Sequence, residues 1–338
     1  MAAAGVALKA GAAVSLADRL YRFLWNRQRA PSAWARHVYK RLARRGIAPD
    51  APFTREFFGL IYQGNLRNNV DFDVYFYGAF EKPLLFFLRD AMHSLGCALT
   101  RGQCVFVDVG ANVGQHSLFM AAHGARVYAF EPFAPVREQL QRQLDANRLA
   151  QVSVYPVGLG DENSRLPFFA PSGSNSGIGS FDPGTTATGN RCIGELALAR
   201  ADDYFPKQAI ERIDLVKIDV EGFEKMTLAG MRETLRRTRP VIVCELTYGK
   251  ALSLATLEEL RDHLPEGYSL FAFDTRKADG SKARRRGARS RSSGEYRIIP
   301  FTGPLQWGQD DVIACPDEKT ALLPRANSHP DPAPQSAG

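Results

Sequence analysis

Three groups of residues in this 338-residue chain have types and spacings that could do chemistry. The first is Asp108-Val-Gly110-Ala-Asn112-Val-Gly114, which follows a short β-branched run, Val105 to Val109, and precedes a stretch with helical spacing. Gly110 lets the backbone approach a ligand closely, and Gly114 lets the helix pack near the strand. Free amides at the start of that helix are electropositive. The second group is Phe130-Glu131-Pro132, at the end of the next apolar run. A carboxylate at that position can accept both hydroxyls of a ribose, each hydrogen bond contributing about 1.5–3 kcal/mol. The third is acidic: Asp219, Glu221 and Glu224 close behind Ile218, with Glu245 ending the following run.

The glycine spacing narrows the ligand. Gly-x-x-x-Gly lacks the extra glycine that brings the backbone onto a pyrophosphate in Gly-x-Gly-x-x-Gly sites. Asp108 would also repel phosphates and suits a ligand carrying an ammonium or sulfonium group. That profile favours S-adenosylmethionine over NAD. Asp161, in a Gly-Asp-Glu-Asn turn, is either a group near the adenine or simply a turn former.

The acidic group has its own options. Transfer of a methyl group to a hydroxyl needs an aligned oxygen and an acceptor for its proton. Asp219 and Glu221 are the candidates, with His116 behind them. Glu224 falls in a first helical turn, where an acid also favours the helix dipole. Asp219 and Glu245 end adjacent strands and could jointly hold Mg2+ against a substrate diol. Ser172 to Ser180, small and polar, reads as a lid or a surface connection, and Tyr75 to Glu81 either as aromatics over the cofactor pocket with Glu81 near a methionine ammonium or as ordinary cap packing.

These residues need a scaffold that brings strand ends together. Short apolar strands at 105–109, 126–130, 152–157, 214–219, 240–245 and 268–273 alternate with helices at 116–123, 136–149, 225–238 and 254–264. Such alternation predicts βαβ units on a mostly parallel sheet, doubly wound, with both faces covered. Segments 296–300 and 311–314 supply a last strand or two. Residues 171–190 read as a long loop.

Charge divides the chain. Residues 1–50 hold ten Lys/Arg and two acids, and residues 276–291 hold eight and one, so the remainder of this +7 protein is net acidic. The segment around Arg19, Leu20, Arg22, Phe23, Leu24 and Arg27 predicts a basic amphipathic helix that packs on its own domain or lies on an anionic membrane surface. Segment 276–294 has almost no apolar residues and is expected to be a mobile loop, either a solvated insertion with no specific partner or one that attracts an anionic partner. Five cysteines without a Cys-x-x-Cys pair suggest buried thiols in a reducing compartment. No run is long and apolar enough to span a membrane, and Met1 to Leu16 lacks the order of an export signal.

Val107 to Gly114, Phe130-Glu-Pro132, Leu159-Gly-Asp161, Leu215-Val-Lys-Ile-Asp-Val-Glu-Gly-Phe-Glu224 and Val243-Cys-Glu245 together resemble the FkbM family of S-adenosylmethionine-dependent methyltransferases, over about residues 75–275. The Lys-Ile-Asp-Val-Glu-Gly-x-Glu block is the most specific part of the match. The resemblance implies a class I, Rossmann-like fold with seven strands and O-methylation of a hydroxyl on a sugar, glycan or natural product. It implies Asp108, Gly110, Asn112 and Gly114 at the methionine end of the cofactor, Glu131 on its ribose and Asp161 near its adenine. The expected organisation is a helical basic extension or cap at 1–95, a methyltransferase domain at 96–315 carrying the flexible insertion 276–294, and a disordered tail at 316–338. The expected location is cytoplasmic, with peripheral contact to an anionic membrane through the N-terminus, and no specific nucleic-acid partner. The competing readings are a non-catalytic binding module on the same fold, a nucleic-acid methyltransferase, and a dinucleotide oxidoreductase, which the glycine spacing disfavours.

Overall fold

The computed structural model describes residues 16–27, 31–99, 103–171, 179–248, 252, 254–277, 281, 283–303 and 308–327. The chain enters through helices α1 (Leu16–Arg27) and α2 (Ala33–Arg44). The Ser32 side chain caps α2 by accepting from the Ala35 amide at 3.0 Å. Its inward positions, Ala35, Val38, Tyr39 and Leu42, recur at helical spacing and meet Trp25 of α1. A hairpin follows, β1 (Pro52–Phe57) and β2 (Leu60–Asn65), so the extension is not purely helical as its sequence had suggested. The two-residue turn takes positive φ at both Phe58 and Gly59, which matches the twist of the strands. Next come α3 (Asn69–Tyr77), whose Phe72 closes the small core around Trp25, and α4 (Lys82–Leu99).

The central sheet is assembled from β3 (Val105–Val109), α5 (Gln115–Ala122), β4 (Arg126–Phe130), α6 (Ala134–Asn147) and β5 (Val152–Tyr155). β6 (Gly158–Gly160), β7 (Ser164–Pro171), β8 (Asn190–Arg200) and α7 (Ala201–Lys207) leave it. β9 (Leu215–Ile218), α8 (Glu224–Gly230), α9 (Arg232–Thr238), β10 (Val241–Tyr248), α10 (Leu257–Asp262) and β11 (Tyr268–Phe273) return to it. α11 (Arg284–Ser293), β12 (Ile298–Pro300) and β13 (Gly308–Pro316) complete the chain.

The strand order is β12-β11-β13-β10-β9-β3-β4-β5. The run from β10 to β5 is parallel, whereas β13 lies antiparallel between β10 and β11. Seven strands were expected; the short edge strand β12 makes eight. Every residue of β3 and β9 is buried, as a doubly covered sheet requires. Alternate positions serve opposite faces. Phe106, Val127 and Leu215 pack under α4 and α5, while Val107, Val216 and Ile242 pack under α7, α8 and α9.

The remaining differences have physical causes. Residues 158–171 and 190–200, to which the sequence assigned no element, form a three-stranded side sheet, ordered β6-β8-β7, on either side of the expected loop 171–190. The helix expected over 225–238 divides at Gly230, where a Cβ would lie 1.8 Å from the Gly160 carbonyl oxygen. Much of the basic insertion is helical. α11 buries none of its own side chains, but Gly294 behind it abuts Phe86, and Lys82 Nζ donates to the Ser292 carbonyl at 3.1 Å. Part of the expected tail is ordered too: Leu323 is buried, and Arg297 bridges to Ala326. Among the described residues no helix is long and apolar enough to cross a membrane.

Candidate active site

The sheet changes direction of winding between β3 and β9, so a crevice opens at their C-terminal ends. The turns that follow the two strands touch. Gly110 has φ +78° and a Cβ there would fall 1.9 Å from the Asp219 carbonyl oxygen, so this position excludes any side chain. Asn112 also takes positive φ, and its amide donates to Glu131 Oε2 at 2.9 Å. Phe133 N donates to the other oxygen, Oε1, at 2.8 Å. Glu131 is therefore fixed in orientation by two backbone amides at the end of β4. Burial raises its pKa to about 7, against the lowering effect of those two amides. Gly110, Asn112, Glu131, Asp219 and Glu221 line one cleft of about 620 Å³, walled on the far side by Phe168, Phe181 and Phe223.

Asp108 lies beneath this cleft. It is fully buried and accepts from Ser117 Oγ at 2.7 Å, and its Oδ1 has no hydrogen-bond partner. Beside it in register is Lys217. Burial works against the Lys217 charge, but Asp219, Asp108 and Glu81 outweigh it and raise the pKa. Lys217 Nζ donates to Asp219 Oδ2 at 3.0 Å. Glu221 follows on a left-handed backbone (φ 56°), and its carbonyl accepts from Ser180 Oγ at 2.9 Å. Glu224 turns inward: it accepts from the Gly222 amide at 2.9 Å, and burial lifts its pKa to about 7. It braces the turn that presents Asp219 and Glu221.

Carboxylate oxygens of Asp219, Glu221 and Glu245 lie within 4.8 Å of one another. Glu245 pairs across the sheet with Asp311 and accepts from Gln309 Nε2. Burial, followed by the charges of Asp219 and Asp311, pushes its pKa up to about 11. Glu81 joins the group from the connection between α3 and α4, again with positive φ (47°), and burial with Asp311 and Asp219 raises its pKa well above the usual range. Gln115 pins that connection by accepting from Phe80 N at 2.6 Å and donating to Phe80 O at 3.0 Å. His116 Nε2 is buried without a hydrogen-bond partner, 3.7 Å from Glu81 Oε2. Burial, helped by Lys217, keeps this imidazole neutral by lowering its pKa far below normal. Three left-handed non-glycine residues, Glu81, Asn112 and Glu221, thus meet at one place, a strain that a fold retains where it positions functional groups.

A second, larger trough of about 1680 Å³ reaches the same carboxylates from outside, with Glu81, Glu245 and Asp311 in its lining. Asp219 and Glu221 line the cleft and Glu245 lines the trough, so the cluster of three carboxylates lies between the two cavities. Other expected site residues lie elsewhere. Asp161 is exposed in the turn after β6 and is not among the residues lining the cleft. Gly114 faces Leu140 of α6, with a Cβ there 2.1 Å from Leu140 Cδ1, so it serves helix packing. Of the expected lid, residues 172–178 lie outside the described residues, while Gly179 and Ser180 line the cleft. Gln309 and Asp311 were not foreseen; the Asp310-Asp311 pair opening an apolar run was their only trace in the sequence.

Residues 108–270 match the methyltransferase FkbM domain. The chain is 32% identical over 166 residues to the 31-O-demethyl-FK506 methyltransferase FkbM of Streptomyces tacrolimicus, covering 41% of this chain and 63% of that protein. It is 26% identical over 149 residues to the 2-O-methyltransferase NoeI of Sinorhizobium fredii, covering 40% and 60%. Among solved structures, a methyltransferase FkbM from Methylobacillus flagellatus KT overlaps at 18% identity, 66% of this chain and 47% of that one, with a TM-score of 0.36. The chain spans between 10% and 63% of the length of the curated relatives it matches.

Proposed function

We propose that the protein, whose residues 108–270 match the methyltransferase FkbM domain, is an S-adenosylmethionine-dependent O-methyltransferase acting on a hydroxyl of a sugar, glycan or natural product. The observation that carries this reading is that Asp219 and Glu221, from the cleft, and Glu245, from the trough, bring their carboxylates within 4.8 Å of one another. One cavity has the groups for the cofactor, and the other gives an acceptor a separate way in. The oxygen-directed names of two matched relatives support the choice of a hydroxyl acceptor.

The chain's own groups fit S-adenosylmethionine. Glu131 offers an oriented carboxylate to a ribose diol, and the bare Gly110 backbone leaves room beside it. The aromatic wall of Phe168, Phe181 and Phe223 suits a flat base. When bound, the cofactor supplies a methyl group on a sulfonium, already a strong electrophile. The protein then has to orient the acceptor hydroxyl and take its proton. Asp219, kept next to the Lys217 ammonium, is the first candidate for that role, with Glu221 beside it. The neutral, unpartnered His116 is the reserve.

Three carboxylates within 4.8 Å also form a hard oxygen donor set that fits a divalent cation such as Mg2+, with Asp219, Glu221 and Glu245 as its holders. The two roles separate experimentally. If Asp219 is the base, Asp219→Asn cuts turnover by roughly 10²–10⁴ with cofactor affinity little changed. If the group holds a metal, added Mg2+ raises activity, and Asp219→Asn and Glu245→Gln both lose that response. Near wild-type turnover in Asp219→Asn, Glu221→Gln and Glu245→Gln together would reject the acidic group as the reaction centre.

A further inference from the structure

The outer trough is lined both by acids, Glu81, Glu245, Asp310 and Asp311, and by arginines. The arginines are Arg36 of α2 and Arg284 and Arg291 of α11. The trough arginines have few close ion pairs, and Asp73 is the acid near both Arg36 and Arg291. No ion pair of Arg36 or Arg284 with a carboxylate occurs among the described residues, and Arg291 has only Asp73, at 3.8 Å. By contrast, Asp310 of the same trough is paired by Arg276 at 2.8 Å. Two of the trough arginines are also held in place. Tyr77 carries the guanidinium groups of Arg36 at 5.1 Å and Arg291 at 5.6 Å from its ring centre, and its hydroxyl accepts from Arg36 Nη1. Stacking of this kind orients a planar cation and leaves its edge donors available.

We propose that the acceptor is a phosphorylated molecule, of the sugar phosphate or sugar nucleoside diphosphate class, whose phosphate is held by Arg36, Arg284 and Arg291 while its hydroxyl reaches the Asp219, Glu221 and Glu245 group. This rests on the methyltransferase reading and names the substrate class for the same site. Guanidinium forks match phosphate oxygens two at a time, and three of them suit a doubly charged group better than a single carboxylate. The trough is also asymmetric: its arginines attract an anion, while the carboxyls of Glu81, Glu245 and Asp311 offer hydrogen bonds to a hydroxyl, so the ligand enters with its phosphate on the arginines.

The test is calorimetric titration of the full chain, with S-adenosylhomocysteine present, using inorganic pyrophosphate, glucose 1-phosphate, UDP-glucose, glucuronate and glucose as probes. The expected result is that pyrophosphate and at least one phosphorylated sugar bind ten-fold or more tighter than glucose, and that rising salt weakens them. Arg284→Gln, whose side chain is exposed, and the triple variant Arg36→Gln/Arg284→Gln/Arg291→Gln should lose that advantage stepwise, with S-adenosylhomocysteine affinity and melting temperature unchanged in Arg284→Gln. Equal binding of phosphorylated and neutral probes, or no effect of the arginine variants, would overturn the proposal. Tighter binding of glucuronate than of any phosphorylated probe would replace phosphate by carboxylate and overturn it too. A failure of S-adenosylhomocysteine itself to bind would instead strike at the methyltransferase reading.

Discussion

Glu131 is the residue on which cofactor binding turns, and its environment gives it a pH signature. Burial raises its carboxyl to about 7 in the free protein. A ribose diol donates to the carboxylate, so binding requires the proton to leave. Affinity should therefore be full above about pH 7 and fall as pH drops below it, approaching ten-fold per unit. Titrating S-adenosylhomocysteine from about pH 5.5 to 8 measures this, and Glu131→Gln should flatten the profile. A flat wild-type profile would remove Glu131 as the titrating partner. The strand-end acids were legible in the sequence because a parallel strand ending in an acid has one place to put it, the crevice. Glu81 was readable only as one option, near a methionine ammonium, since its position beside Asp219 and Asp311 depends on the strained connection that Gln115 clamps.

At the scale of elements, the sequence was readable where apolar periodicity reports burial and opaque where it does not. β3, β4 and β9 are nearly continuous apolar runs and were found. β8 is largely exposed and the sequence assigned it no element, yet it pairs with β6 and β7. The position of β13 between β10 and β11 brings Gln309 and Asp311 to Glu245 through pairing more than sixty residues apart, which no local pattern encodes. α11 was missed because its arginines bury nothing, although arginine and alanine are good helix formers. Its contribution to stability should accordingly be small. Replacing residues 284–293 by a short Gly-Ser link should cost about 1–2 kcal/mol, a few degrees in melting temperature. Cofactor affinity should be retained, while methyl transfer to the true acceptor is lost. A collapse of the fold on thermal denaturation of that variant would show α11 to be part of the packed core.

At the scale of the whole molecule, the two basic attachments that looked separate in the sequence converge. Arg36 from the N-terminal segment and Arg291 from the insertion rest on the same Tyr77 ring, over a body that is otherwise net acidic. The molecule thus has an aromatic-walled cleft on one side of a carboxylate group and a trough lined by acids and arginines on the other. The measurement that tests this account most directly is calorimetric titration of S-adenosylmethionine, S-adenosylhomocysteine and NAD into the wild-type chain and Glu131→Ala. The account predicts that the two sulfur-containing ligands bind at a single site, that NAD does not compete, and that Glu131→Ala weakens both by at least about ten-fold, roughly 1.4 kcal/mol. Binding of NAD without S-adenosylmethionine, or unchanged affinity in Glu131→Ala, would contradict it.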